Sequence, residues 1–194
     1  MDEIGVNGLG RKEILRLLAE GASDLRAAID GVTEAEAAQR PVAGGWSVLD
    51  CVEHLAVTER ELLKGVQIAV PAAERQYNPI REAKILDRAL DRTRFITAPD
   101  IVVPASKFKS TSEALEAFES VRAETVRFVE GFEGDPRSWL TTHPLVRGSV
   151  NCYEMFLMIA LHPKRHAQQI AQARAMVAAD DLKGISRAVR GNSS

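Results

Sequence analysis

Cysteine is almost missing from this chain: Cys51 and Cys152 are the only two in 194 residues, and they form no CxxC pair. Two isolated thiols within predicted helices fit a reducing compartment, and each reads as a buried, inert side chain. Long apolar runs are missing as well. No stretch of about 18 apolar residues exists to span a bilayer, and the opening MDEIGVNGLGRKE lacks the apolar core of a signal peptide, so a cytoplasmic location is expected. Neither sign of charge is in excess: 25 Lys and Arg face 27 Asp and Glu, the net charge is −2, and the basic residues are scattered among acidic ones. That excludes nucleic acid and anionic membrane as partners. There is no glycine-rich phosphate loop, no Ser-His-Asp spacing, no paired-carboxylate machinery and no internal repeat.

What is present is helical periodicity. A hydrophobic share of 45% with 27% charged residues is that of an ordinary globular protein, and the length fits one domain, residues 1–194, carrying an elaboration. Ile14, Leu17, Leu18, Leu25 and Ile29 mark a first helix over about 9–29. TEAEAAQRPVAGGW is a connector, opened by a Thr33/Glu36 capping box and ended by Pro41 and Gly44–Gly45. A second helix, about 47–68, opens at a Ser47/Asp50 capping box with Trp46 in the staple position facing Cys51.

Residues 70–110 break the pattern with Pro71, Pro79, Pro99 and Pro104, leaving one short helix around Arg81–Arg92 and an extended loop at Ile101–Val103. A connection this long can return the chain to its starting end, so that the helices on either side run parallel. A third helix, about 111–131, opens at Ser110/Glu113; its stripe includes Leu115, Phe118, Thr125, Phe128 and Val129. A linker holding His143 leads to Asn151/Glu154 and a fourth helix, about 152–177, followed by a polar, frayed tail.

The chemistry concentrates on the fourth helix. His162 and His166 are one turn apart, with Cβ atoms about 6 Å from each other. They share a face with Met155, Met158, Gln169, Ala173 and Met176, a stripe whose apolar members point it into the core. His54, on the second helix, shares a face with Asp50, Thr58 and Glu61, which are candidate orienting partners. Two histidines from one helix and one from a neighbour would fill three positions around a metal ion and leave the remainder for water or substrate.

Two stretches carry a resemblance. GGWSVLDCVEHLAVTEREL at 44–62 places a histidine eight residues after the tryptophan, and LHPKRHAQQI at 161–170 holds the histidine pair and a following glutamine. Together they resemble the DinB-like superfamily. The resemblance implies an all-α, four-helix bundle of up-down-down-up connectivity, with a long crossover between helices two and three. It also implies a divalent metal (nickel, zinc or iron) held by His54, His162 and His166. Relatives of that kind include thiol S-transferases using a low-molecular-weight thiol and mycothiol-dependent isomerases. The chain is therefore expected to be a metal-dependent enzyme acting on a small molecule, by thiol transfer or hydrolysis. The alternative is a non-catalytic small-molecule-binding or stress-response bundle with a structural or adventitious metal. A homodimer through exposed helix faces is compatible with either.

Pro163 departs from an ideal helix directly after one candidate ligand, where it removes an internal hydrogen bond and can kink the helix. His143, in a loop before proline, has no ligand spacing and is not expected to join the site. The methionines read as core filler and Trp46 as a structural staple. Arg165, at the edge of the histidine face, is expected to pair with a bundle carboxylate such as Asp50 or Glu61. Cys51 lies one turn before His54, yet three imidazoles suffice without it.

Overall fold

A computed structural model describes residues 3–91, 93 and 97–191, with side chains described for 10–89, 91, 93 and 97–181. Four long helices form the bundle: α1 (Glu3–Ile29), α3 (Val48–Gln67), α5 (Thr111–Gly131) and α6 (Cys152–Gly191). Two shorter ones, α2 (Glu34–Ala38) and α4 (Pro79–Leu90), pack against them. Their starts follow the local chemistry read above. Ser47 and Asp50 exchange bonds at 2.8 and 3.1 Å, and Asn151 and Glu154 do so at 3.1 and 2.8 Å. At α5, Ser110 accepts from the Glu113 amide while Glu113 takes its own bond from the Lys109 amide, one residue outside the expected box.

The direction of each helix can be read from the two halves of the core. One half joins Ile14, Leu17 and Leu18 from the middle of α1 to Leu62 and Val66 from late α3, Val129 from late α5, and Met155 to Leu161 from early α6. The other joins Ala22 and Leu25 from late α1 to Val48–Ala56 from early α3, Ala114 and Phe118 from early α5, and Ile170 far along α6. So α1 and α6 run one way and α3 and α5 the other, which is up-down-down-up. Parallel neighbours need a crossover as long as the bundle, and α4 is part of it. It lies along α6 from Arg81, 3.2 Å from Glu154, to Asp91, whose carbonyl accepts from Arg165.

Several expectations on secondary structure need correction. The crossover and the linker before α6 are not strandless: β1 (Val70–Pro71), β2 (Trp139–His143) and β3 (Val146–Asn151) form an antiparallel sheet in the order β1-β2-β3. Ile101, expected in an extended loop, lies in a 3₁₀ turn at Asp100–Val102. The first helix begins at Glu3 instead of about residue 9, and the last continues through the expected frayed tail to Gly191. The short crossover helix is α4; Arg92, at its expected end, lies outside the described residues. α2 is more than a connector. Ala37 is fully buried in the second half of the core, and the Glu34 carboxylate accepts from the Thr111 and Ser112 amides at 2.7 and 3.2 Å, capping α5 from outside.

Pro163 sits within α6 without ending it. A proline at this position cannot donate to the carbonyl four residues earlier, that of Ile159. The buried Arg122 guanidinium reaches that oxygen at 3.5 Å, while donating to Glu59 at 2.6 Å and to the Leu18 carbonyl at 3.0 Å. On the same stretch, Gly21 lets α1 close on α6: a Cβ there would stand 2.5 Å from the Ala160 carbonyl oxygen. Pro163 is thus accommodated by a hydrogen-bond donor on one neighbour and a missing side chain on the other.

Candidate metal centre

His54 lies two turns into α3, and His162 and His166 lie on the facing side of α6. Because α3 and α6 are antiparallel neighbours, the inward stripes of both bring the three imidazoles to one point. The His162 Nε2 is 3.3 Å from the His54 Nε2 and 3.0 Å from the His166 Nε2. Among the described residues this is the group of metal-ligating side chains whose donor atoms converge, all within 4.8 Å of one another. His54 and His166 are buried and His162 is partly buried.

The tautomer of His54 is fixed by its surroundings. Its Nδ1–H donates to the Val102 carbonyl at 2.7 Å, which leaves the Nε2 lone pair facing the other two rings. Burial lowers the pKa of His54 against that bond, which raises it. At His162 burial lowers the pKa well below the ordinary 6.5, followed by the charges of His54, Arg165, His143 and Arg122. Burial thus favours the neutral form of both the His54 and the His162 ring. A single proton on the His162 Nε2 can serve one neighbour only, so the other close contact lacks a proper hydrogen bond. A cation accepting all three lone pairs removes that conflict. Nitrogen ligands about 2.0–2.1 Å from a tetrahedral ion stand roughly 3.3 Å apart, so the donor set fits a divalent metal in chemistry and the two contacts of His162 fit it in spacing, while the widest separation, within 4.8 Å, would close on binding.

Trp46, directly before the Ser47 cap of α3, flanks this cluster. Its ring lies 4.7 Å from His54 and is stacked over His166 at 5.9 Å with 12° between planes. Of the partners expected for His54, Thr58 is in place, with its hydroxyl 3.3 Å from Nδ1 and 3.4 Å from Nε2. Asp50 and Glu61 are engaged elsewhere, by Arg40 at 2.9 Å and Lys64 at 2.8 Å. Arg165 donates to the Asp91 carbonyl at the end of α4. His143 closes β2, where its Nδ1 accepts from the Leu145 amide at 3.1 Å, apart from the three-histidine group. Cys51 and Cys152 are buried and not joined in a disulfide, and burial pushes the Cys152 thiol up to about 12. Of the methionine stripe, Met155 is fully buried but Met176 is exposed, beyond the point where α6 leaves the core.

The partner that sequence reasoning missed is the Val102 carbonyl. A backbone oxygen from a distant crossover leaves no side-chain pattern to find. The buried valine between Pro99 and Pro104 marks the segment as anchored, without saying to what.

An antiparallel pair of bundle helices that points three imidazoles at one another, inside an up-down-down-up topology, defines the class: a four-helix bundle with a three-histidine centre. The family description of the DinB superfamily matches residues 17–170, and the chain belongs to that superfamily. Over 148 residues it is 24% identical to Uncharacterized protein YuaE of Bacillus subtilis, covering 75% of this chain and 88% of that one. Among solved structures it is similar to YfiT from Bacillus subtilis, described as a probable metal-dependent hydrolase with an unusual four-helix bundle topology. The two share 16% identity at a TM-score of 0.56, with 87% of each chain covered. That likeness concerns the fold.

Proposed function

We propose that this chain is a metal-dependent enzyme acting on a small molecule, with His54, His162 and His166 holding one divalent ion, and with hydrolysis as its reaction. The observation that carries the reading is the convergence of three imidazole donor atoms within 4.8 Å of one another, with the His54 proton held on Nδ1 by the Val102 carbonyl. The description of YfiT as a probable metal-dependent hydrolase on the same fold adds support. When bound, a divalent ion with three nitrogen ligands and an open position lowers the pKa of water or of a thiol there, supplying a nucleophile near neutral pH.

The protein's own groups do the rest. The Val102 carbonyl holds the His54 proton on Nδ1, so its Nε2 stays available. Trp46 lies against the His54 and His166 rings and shields them on that side.

Metal analysis of the purified protein beside H54A and H162A tests the ligand set. Near-stoichiometric nickel, zinc or iron is expected in the wild type and little in either variant; full retention in both refutes it. Metal-loaded protein is then offered activated esters and amides, with and without a low-molecular-weight thiol. Turnover only with the thiol shifts the assignment to thiol S-transfer. A chelator that lowers stability with no turnover of either kind leaves a structural metal, and ligand binding unaffected by chelator leaves a binding bundle.

A further inference from the structure

The crossover does more at this site than pass over it. After Pro99 the chain makes the 3₁₀ turn Asp100–Val102, with the Val102 amide bonded to the Pro99 carbonyl at 2.9 Å and the Val102 side chain buried. The same residue gives its carbonyl to His54 at 2.7 Å. Three and five residues later the strap is clamped. Glu53, directly before His54 and only 2% exposed, accepts from the Ala105 amide at 2.6 Å and from the Lys107 amide at 2.9 Å, one on each carboxylate oxygen. The residue between those amides, Ser106, has φ 57°, and it is the one non-glycine residue with positive φ among the described residues. A left-handed serine is unfavourable on its own and persists where its surroundings impose it.

The geometry points to Glu53 as a positioning residue of the metal centre: by gripping both sides of the left-handed turn at Ser106, its carboxylate holds the Val102 carbonyl against His54 and thereby sets that ligand's tautomer and aim. The inference rests on the proposed metal site. It explains why an acidic side chain that offers nothing to the imidazole cluster is buried beside a candidate ligand. Adjacent residues of α3 point about 100° apart, so Glu53 can grip the strap while His54 faces the centre. Partners of this indirect kind fix which imidazole nitrogen is free, and their loss typically costs 10–100-fold in metal affinity.

The test substitutes Glu53→Gln, which keeps the shape but makes one of the two acceptors a donor. Long-range ¹H–¹⁵N spectra of the metal-free protein report the His54 tautomer directly, and titration with cobalt reports affinity. In the wild type His54 is expected as the Nδ1–H form alone. In E53Q the Nε2–H form is expected to appear, and the cobalt Kd to rise by about tenfold or more. The double variant E53Q/S106G separates clamping from packing. Glycine adopts the left-handed turn without help, so it should return most of the tautomer and most of the affinity. Should E53Q fail to fold, S106P breaks the same turn from an exposed position, because proline cannot reach positive φ, and it should reproduce the loss.

An unchanged His54 tautomer in E53Q or S106P overturns the inference, as does a loss in E53Q that S106G does not relieve. If the wild type binds no cobalt, the metal reading falls, and the metal-free spectra still decide whether Glu53 sets His54.

Discussion

Replacing Arg122 by methionine isolates the energetics of the bundle's polar centre. Arg122 is 6% exposed and Glu59 3%, and the guanidinium bonds Glu59 at 2.6 Å, the Leu18 carbonyl at 3.0 Å and the Ile159 carbonyl at 3.5 Å. Burial lowers the Arg122 pKa and raises that of Glu59, in each case outweighing the partner's opposite pull. The pair therefore contributes little net stability, while a lone Glu59 is costly. Breaking a buried pair from one side costs about 3–5 kcal/mol. In R122M the Ile159 carbonyl, already deprived of an amide by Pro163, also loses its donor. We expect a loss of about 4 kcal/mol in urea unfolding, or about 8–16 °C in Tm for a chain of this size.

The double variant R122M/E59L removes both charges and is expected to recover most of that loss; Thr125 keeps its bond to the Val121 carbonyl at 3.0 Å. In R122M nothing opposes the burial that raises the Glu59 pKa except Thr125. A carboxyl raised above its unfolded value stabilises the fold most when protonated, and that stabilisation is lost as pH rises through the folded pKa. The deficit of R122M should thus shrink as pH falls toward the ordinary 4.5. A loss under about 1 kcal/mol in R122M, or a double variant no better than the single one, refutes the reasoning.

Gly21→Ala places a methyl 2.5 Å from the Ala160 carbonyl, so α1 and α6 must separate beside His162; a loss of about 1–3 kcal/mol by urea is expected, together with weaker cobalt binding. Trp46 stacks on His166 whereas Trp139 packs against Phe132 at 6.2 Å, so cobalt should quench tryptophan fluorescence in W139F but not in W46F. His54 and His162 have folded pKa values below 6.5, so the unfolded chain binds more protons between those values and 6.5. This part of the metal-free protein's stability is complete above pH 6.5 and is lost as pH falls toward the folded values, a slope that H162A should flatten in urea midpoints across that window.

The inward placement of His54, His162 and His166 was legible because helical periodicity ties each to a stripe of apolar neighbours, and capping residues at Ser47 and Asn151 fix where those stripes start. The crossover was legible as a length and little more. Its contribution to the site is a carbonyl oxygen, and backbone groups carry no residue type. The β2–β3 hairpin escaped notice because its tip, Pro144–Leu145, has none of the Asn-Gly or Asp-Gly chemistry of tight hairpins, and its irregular register spoils the alternation a strand should show. Trp46 was read as a staple from its position before a cap. That it also lies over two imidazoles depends on α6 arriving opposite, which no local window contains. The end of α6 was misplaced because a polar helix offers no apolar stripe to follow.

The up-down-down-up order bears on how the chain acquires its chemistry during synthesis. His54 emerges early and its two companions 108 and 112 residues later, after the crossover and α5. An intermediate lacking α6 holds one imidazole of the three, however well α1 and α3 have formed. Joining ends so far apart carries a loop-closure cost that adjacent hairpin helices avoid. The three imidazoles therefore meet only in the finished topology, after α6 has docked against α3.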